Sequence, residues 1–295
     1  MAGTVVAWFK GLDALFEKYH FQDWAVWNAD EKPITITSKG HKVFTFEDNP
    51  VYEVVVENQT LHRHYTLLAT TSTAGDLTLP TIMVPLKNEP TEAIPFLGQI
   101  NFLYTGSGYI NKTSLAQWAA EIFIPKVTTL RAIHKTPDAP ILLIMDNHSS
   151  RCDFAFAQLL SAANVVLYML PSNTSFVLQP LDLNFNNTFQ AYFNKYMPTL
   201  PAGFSMSEER KAVFGAILAA FRQASTPMTV KAGFKRSGIW TFEGKQDVTE
   251  PLSSACVIPG PYEPPAPLSG GQPDIRAKVL TTEEFLAELR AWEQK

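Results

Sequence analysis

The sequence predicts an α/β fold in which a mixed sheet is flanked by helices, and three observations carry that prediction. Two wholly apolar runs, ILLIM (141 to 145) and VVLYML (165 to 170), read as buried strands separated by a helix-like segment, RCDFAFAQLLSAAN. Strand, helix, strand implies a parallel pair with its helix on one face. Upstream, β-rich runs punctuated by short turns read as an antiparallel meander. Downstream, apolar residues recur at helical spacing.

Taken in order, WAVWNA (24 to 29) is apolar enough for a buried strand and stops on acid, Asp30-Glu31. YEVVVE and HYTLLATTST read as strands, and AGD (74 to 76) turns the chain into LTLPTIMVPL, where Pro80 argues for an edge or a bulge. After NKTS, with Thr113 or Ser114 as the expected cap, Leu115, Trp118, Ile122 and Phe123 mark a helix that runs to Pro125. The two buried strands follow, the first ending on Asp146 and the second at Pro171. Beyond the loop PSNTSFVLQP, Phe185, Phe189, Tyr192, Phe193 and Tyr196 form an aromatic stripe, the core face of a helix. A second helix starts at the capping box Ser205 to Glu208 and continues through Val213, Ile217 and Phe221. Seven prolines between Pro251 and Pro273 make residues 246–280 an extended linker, and 281–295, TTEEFLAELRAWEQK, an amphipathic C-terminal helix.

Composition narrows the function. With 46% hydrophobic and 18% charged residues the chain is a folded protein. Two cysteines, Cys152 and Cys256, make no disulfide framework and no zinc spacing, which points to a reducing compartment. The N-terminus lacks a signal-peptide pattern and no run approaches the roughly 20 apolar residues of a membrane span, so a cytosolic or nuclear protein without membrane contact is expected. The five N-x-S/T triplets would matter only in a secreted chain. A net charge of −4 gives no global argument for nucleic acid, so any such claim rests on local residues.

Three carboxylates stand at ends of apolar elements: Asp30, Asp146 and Asp182, the last in LQPLDLNF before the aromatic helix. Singly, each is explained by solvation or, for Asp182, by a helix N-terminus. Together they converge, because functional groups in open sheets gather beyond the strand C-termini. Converging carboxylates repel unless divalent cations neutralise them, and oxygen ligands suit Mg²⁺ or Mn²⁺. Two such ions activate attack and stabilise departure at phosphorus, which predicts a nuclease or strand-transfer site. Glu31 is placed on the opposite face by strand alternation and is left out of the triad. Arg151, Lys231, Lys235 and Arg236 are candidate phosphate contacts or ordinary surface charge. His148 with Ser149 or Ser150 lacks a nucleophile elbow; His62 and His64 share a strand face that is more simply solvated; Gly106-Ser107-Gly108 lacks the rest of a phosphate-binding fingerprint.

WNADE (27 to 31), SGYINKTSLAQWAAEIFIPKV (107 to 127), LLIMDNHSSR (142 to 151), LPSNTSFVLQPLDLNFNNTFQAYF (170 to 193) and FKRSGIWTF (234 to 242) together resemble the DDE superfamily endonucleases of the pogo/Tigger/jerky transposase type, related to centromere protein B. The resemblance covers residues 1–245, taken as one domain, and the 35 residues between Asp146 and Asp182 are similar to the family's spacing of its second and third acids. It implies a ribonuclease H-like fold, Asp30, Asp146 and Asp182 as the Mg²⁺- or Mn²⁺-binding catalytic triad, and DNA as substrate and partner, with a homo-oligomer as a further expected state. The chain departs from the family at Lys32-Pro33, where Thr-Gly is usual, at Arg151, often His, and at Asn184, often Gly. Relatives carry helix-turn-helix modules ahead of the catalytic domain. The expectation is therefore a catalytic domain alone, a fragment or a domesticated remnant, and the alternative is a catalytically silent nucleic-acid-binding or scaffold protein of the same fold.

Overall fold

The structure, a computed structural model, describes residues 2–35, 41–43, 52–54, 61, 63–147, 153–201 and 203–240. At its centre stands β1 (Val26–Pro33). It pairs antiparallel with β4 (Thr66–Ser72), which pairs antiparallel with β5 (Thr81–Val84), itself parallel to the edge strand β6 (Asn101–Tyr104). On its other side β1 runs parallel to β7 (Ile141–Met145), and β7 parallel to β8 (Val165–Met169). The order β6-β5-β4-β1-β7-β8 is the expected mixed six-stranded sheet flanked by helices, ribonuclease H-like. The strand read in YEVVVE lies outside it: β3 (Tyr52–Val54) pairs with β2 (His41–Val43) in a separate two-stranded sheet. Both flanks of β1 are taken by β4 and β7, so it has no place for an earlier hairpin.

Both faces of the sheet are covered, which is why ILLIM is buried at every position. Leu142 and Ile144 join one core with Val26, Leu67 and Tyr168, and Ile141, Leu143 and Met145 join the other with Trp27, Leu68 and Leu167. The second face is closed by α2 (Lys112–Trp118), α3 (Ile124–Ile133) and α4 (Phe154–Ala162), through Leu115, Trp118, Phe123, Val127, Phe156 and Leu160. The cap of α2 is Asn111, not Thr113 or Ser114; Ser114 is the reciprocal partner of its capping box. Nor does the helix stop at Pro125. A proline inside a regular helix loses a hydrogen bond and meets the carbonyl four residues back. Here a π-helical turn, Ala119–Phe123, intervenes, and Pro125 falls in the first turn of α3.

The first face carries the helix that opens the chain, α1 (Ala2–Tyr19), unpredicted although Val5, Trp8, Phe9, Leu12, Leu15 and Phe16 repeat at helical spacing and are all buried. Trp8 Nε1 donates to Met169 O at 2.9 Å and Tyr168 OH to Trp8 O at 2.7 Å, tying α1 to the end of β8. Beside it lie α5 (Ser175–Leu178), α6 (Asn186–Tyr196), α7 (Met206–Ala224) and α8 (Pro227–Arg236). The predicted aromatic stripe is the core face of α6 at Phe189 and Phe193, with Phe185 just before it, while half-buried Tyr192 packs on the edge of that core and stacks on exposed Tyr196 at 6.2 Å. The predicted box Ser205–Glu208 caps α7. Among the described residues no helix is long and apolar enough to cross a membrane. The Pro-rich linker and the C-terminal amphipathic helix lie outside the described residues, as do 241–245 at the end of the expected first domain.

Candidate active site

Strands β1 and β7 run parallel, with Asn28 opposite Ile144 as their last paired positions, so the residues that follow leave the same edge of the sheet. Those residues are Asp30 and Asp146. Asp30 is not at a strand end, as its sequence suggested. Strand β1 continues to Pro33 because β4 stays paired with it there, while β7 has finished at Met145. Asp30 therefore sits on a stretch of β1 paired with β4 and past its pairing with β7, and it is 5% exposed.

Glu31 was placed away from the site by alternation, and the structure corrects this. Asp30, Glu31 and Asp146 each offer a carboxylate oxygen, and the three oxygens lie within 4.8 Å of one another.

Asp182 arrives from the helical side. It lies in a π-helical turn, Leu181–Phe185, between Pro180 and α6, and outside the oxygen cluster of the other three acids. Its link to Asp30 is Asn186, one helical turn on and 2% exposed. Asn186 Nδ2 donates to Asp30 Oδ2 at 2.9 Å and to Asp182 Oδ1 at 2.9 Å, so one amide spans the first and third acids. Asp30 is thus the carboxylate common to both groupings, gathered with Asp146 and Glu31 and joined to Asp182 through one amide.

Buried amides hold this geometry. Asn28 Nδ2 donates to Ile144 O at 2.9 Å and to Gln179 Oε1 at 2.8 Å, and its Oδ1 accepts from Leu181 N at 3.2 Å. Asn28 and Gln179 are both fully buried, so the segment entering the π turn is fastened to the β1–β7 seam. Helix α8 fastens it from outside. A Cβ at Gly233 would run into Pro180 O, so only glycine allows this approach. Asn184 Nδ2 donates to Thr229 O at 2.8 Å, and Arg236 Nη1 donates to Leu183 O at 2.8 Å and to Asn184 Oδ1 at 3.1 Å. Asn184, which replaces the family's frequent glycine, is therefore part of this clamp.

Of the candidate phosphate contacts, Arg236 is engaged with the Asp182 turn, Lys235 is exposed at the end of the same helix, and Lys231 is half-buried farther back toward Gly75. Arg151 lies outside the described residues, as do His148, Ser149, Ser150 and His62. His64 is not on a strand face but stacks on Tyr109 at 3.8 Å, with its Nε2 against Thr66 Oγ1. Gly108 is needed because a Cβ there would meet His64 O. Asn28, Gln179 and Asn186 were missed as site residues. For Asn28 and Gln179 the signal was polarity inside apolar stretches, because buried polar groups must be partnered.

Residues 66–212, which include Asp146 and Asp182 but begin after Asp30, match the DDE superfamily endonuclease family. The chain belongs to the DDE superfamily endonucleases over that span. Solved structures similar to it include the mariner Mos1 paired end complex with Mg, at 13% identity and TM-score 0.49 over 79% of this chain and 59% of that one. The Mos1 strand transfer complex matches at 15% identity and TM-score 0.44 over 77% and 56%. The catalytic domain of Mos1 mariner transposase matches at 12% identity and TM-score 0.40 over 75% and 90%. The chain spans 62% of the protein in the paired end complex with Mn, less than two thirds of its length.

Proposed function

We propose that this DDE domain cleaves DNA phosphodiester bonds, and transfers strands, with Mg²⁺ or Mn²⁺ held by Asp30, Asp146 and Asp182. The observation that carries the reading is the place of Asp30 in both groupings, gathered with Asp146 and Glu31 within 4.8 Å and joined to Asp182 through one amide. The donor set fits such ions, because every group is a hard carboxylate oxygen. Bound there, the metal would activate the attacking oxygen and stabilise the leaving one. The chain's own residues set the spacing. Asn186 keeps the carboxylates of Asp30 and Asp182 apart and oriented, and the buried Asn28–Gln179 pair stops the Asp182 turn from sliding along the sheet.

Lys235, Lys231 and Arg151 are proposed to hold the DNA backbone, a local role that an overall charge of −4 does not forbid. Binding by this chain is expected to be weak, non-specific and steeply salt-dependent. Acting on DNA, the protein is proposed to work in the nucleus. Nicking of supercoiled plasmid across a Mn²⁺ and Mg²⁺ titration tests the reading, with melting curves recorded alongside. Wild type is expected to nick and to melt higher with metal, by about 2.7 kcal/mol for one site at a hundredfold excess over Kd. Asp146→Asn is expected to do neither. A folded wild type that never nicks, with melting indifferent to metal, replaces this reading with a domesticated, catalytically silent binding protein.

A further inference from the structure

The two edges of the six-stranded sheet are not alike. On the β8 side Met169 O accepts from Trp8 Nε1 at 2.9 Å, so α1 covers part of that edge. On the other side β6 is left open. Asn101 N donates to Pro80 O at 2.9 Å and Thr105 N to Val84 O at 3.1 Å, so the odd-numbered amides of this segment serve β5. Successive amides of a strand point opposite ways, which turns the N–H and C=O groups of Phe102 and Tyr104 outward. Among the described residues no partner bonds them. Open edges are usually defended by charge or proline, and Asn101-Phe102-Leu103-Tyr104 has neither. Its surroundings are apolar instead. The Phe102 ring lies 4.9 Å from that of Phe214 and Tyr104 stacks on Phe102 at 6.4 Å, both rings only partly buried. Leu97, bridged to Ile100 at the head of the strand, is exposed, as are Ile94, whose carbonyl Leu97 N bonds, and Leu79, whose carbonyl accepts from Asn101 Nδ2.

Free backbone groups with apolar flanks are a template for one more strand, in which main-chain bonds hold the newcomer and alternate side chains select it. The sequence contains a segment of that kind. In IRAKVL (275 to 280), at the end of the Pro-rich linker, Ile275, Ala277 and Val279 alternate with Arg276 and Lys278, the period of a strand with one apolar side. The two cations are the charges that β6 lacks, and on an added strand they would block further pairing at the new edge. Reach is no obstacle. The 34 residues between Trp240, the last described residue, and Ile275 extend to about 105 Å at the rise of a proline-rich arm, against about 45 Å across a domain of this size. We propose that residues 275–280 add to β6 as a seventh strand, with Ile275, Ala277 and Val279 laid over Phe102, Tyr104 and Leu97.

Hydrogen–deuterium exchange of the full chain tests this, read on peptides over residues 101–105 and, as a control for the fold, over the buried strand β7. Wild type is expected to exchange the Phe102 and Tyr104 amides about tenfold or more slowly than the double variant Ala277→Pro, Lys278→Pro, with β7 equal in both. Because neighbouring amides face opposite ways, one of the two prolines falls on the paired side whichever way the added strand runs. A second double variant, Ile275→Lys with Val279→Lys, spares every backbone amide and is expected to lose the same protection through its side chains. Fast exchange over 101–105 in wild type overturns the proposal. Protection that survives in both variants overturns it too, by giving the edge to another part of the chain. So does protection that fades on dilution together with a fall in mass by light scattering, which gives the edge to a second copy.

Discussion

The two halves of the acid cluster are built by different means. Asp30 and Asp146 stand on adjacent parallel strands whose register fixes them, and the force that sets the register is burial of the side chains around them. Asp182 stands on a π-helical turn positioned by amides, one guanidinium and one glycine: Asn28, Gln179, Asn184, Asn186, Arg236 and Gly233. The sheet half is held by many interchangeable apolar contacts, the helical half by a few directional ones. Single substitutions should therefore move Asp182 far more easily than they move Asp30 or Asp146.

The largest effect is expected at Asn28, which joins the halves. Asn28→Ala leaves Gln179 and Leu181 N with lost partners in a dry seam, a cost of about 2–5 kcal/mol in urea unfolding, and plasmid nicking should vanish with it. Gly233→Ala comes next, since its methyl group must push α8 off Pro180. A loss of about 1–3 kcal/mol is expected, with nicking more impaired than the melting shift in Mn²⁺, because the Asp30–Asp146 side stays intact. Equal impairment of both would erase the distinction between the halves.

Asn186→Ala removes two hydrogen bonds to carboxylates and should cost about 1.5–3 kcal/mol without metal. Saturating Mn²⁺ should recover part of that loss, and a deficit that metal leaves untouched would show that Asn186 serves packing rather than the acids. Asp182→Asn can still accept from Asn186 and no longer repels Asp30, so metal-free stability should be unchanged or slightly raised while nicking disappears. Full nicking by this variant would remove Asp182 from the site. The smallest expected change is Glu31→Gln. About tenfold weaker Mn²⁺ binding by calorimetry, with metal-free melting unmoved, is expected if the carboxylate faces the ion as its place in the cluster suggests.

This contrast also governs what could be read before the fold was known. The parallel pair, the aromatic helix, the capping box at Ser205 and the edge where Asp30 and Asp146 emerge all follow from periodicity and apolar runs. Glu31 was misplaced because alternation fixes the direction in which a side chain leaves the strand and not where the end of a long side chain comes to rest, and its carboxylate lies with those of Asp30 and Asp146. The role of Asn186 was invisible because an asparagine in a helix is an ordinary residue until its neighbours across the sheet are known. Asn111 lost the capping assignment to Thr113 and Ser114 although all four residues NKTS were in view. Side-chain caps compete locally, and the reciprocal Ser114 bond decided among them.

The π turn that carries Asp182 has a genetic consequence. It holds one residue more than an α-helical turn would, and removing a residue from a helix rotates what lies beyond it by about 100°. Loss of the single codon for Leu183 would let the turn close into a regular helix, leaving Phe189 and Phe193 seated in the core while swinging Asp182 away from Asp30. Such a deletion should keep its circular dichroism and lose nicking. One in-frame triplet would then abolish the proposed nicking in a chain that folds the same way, with no acid mutated.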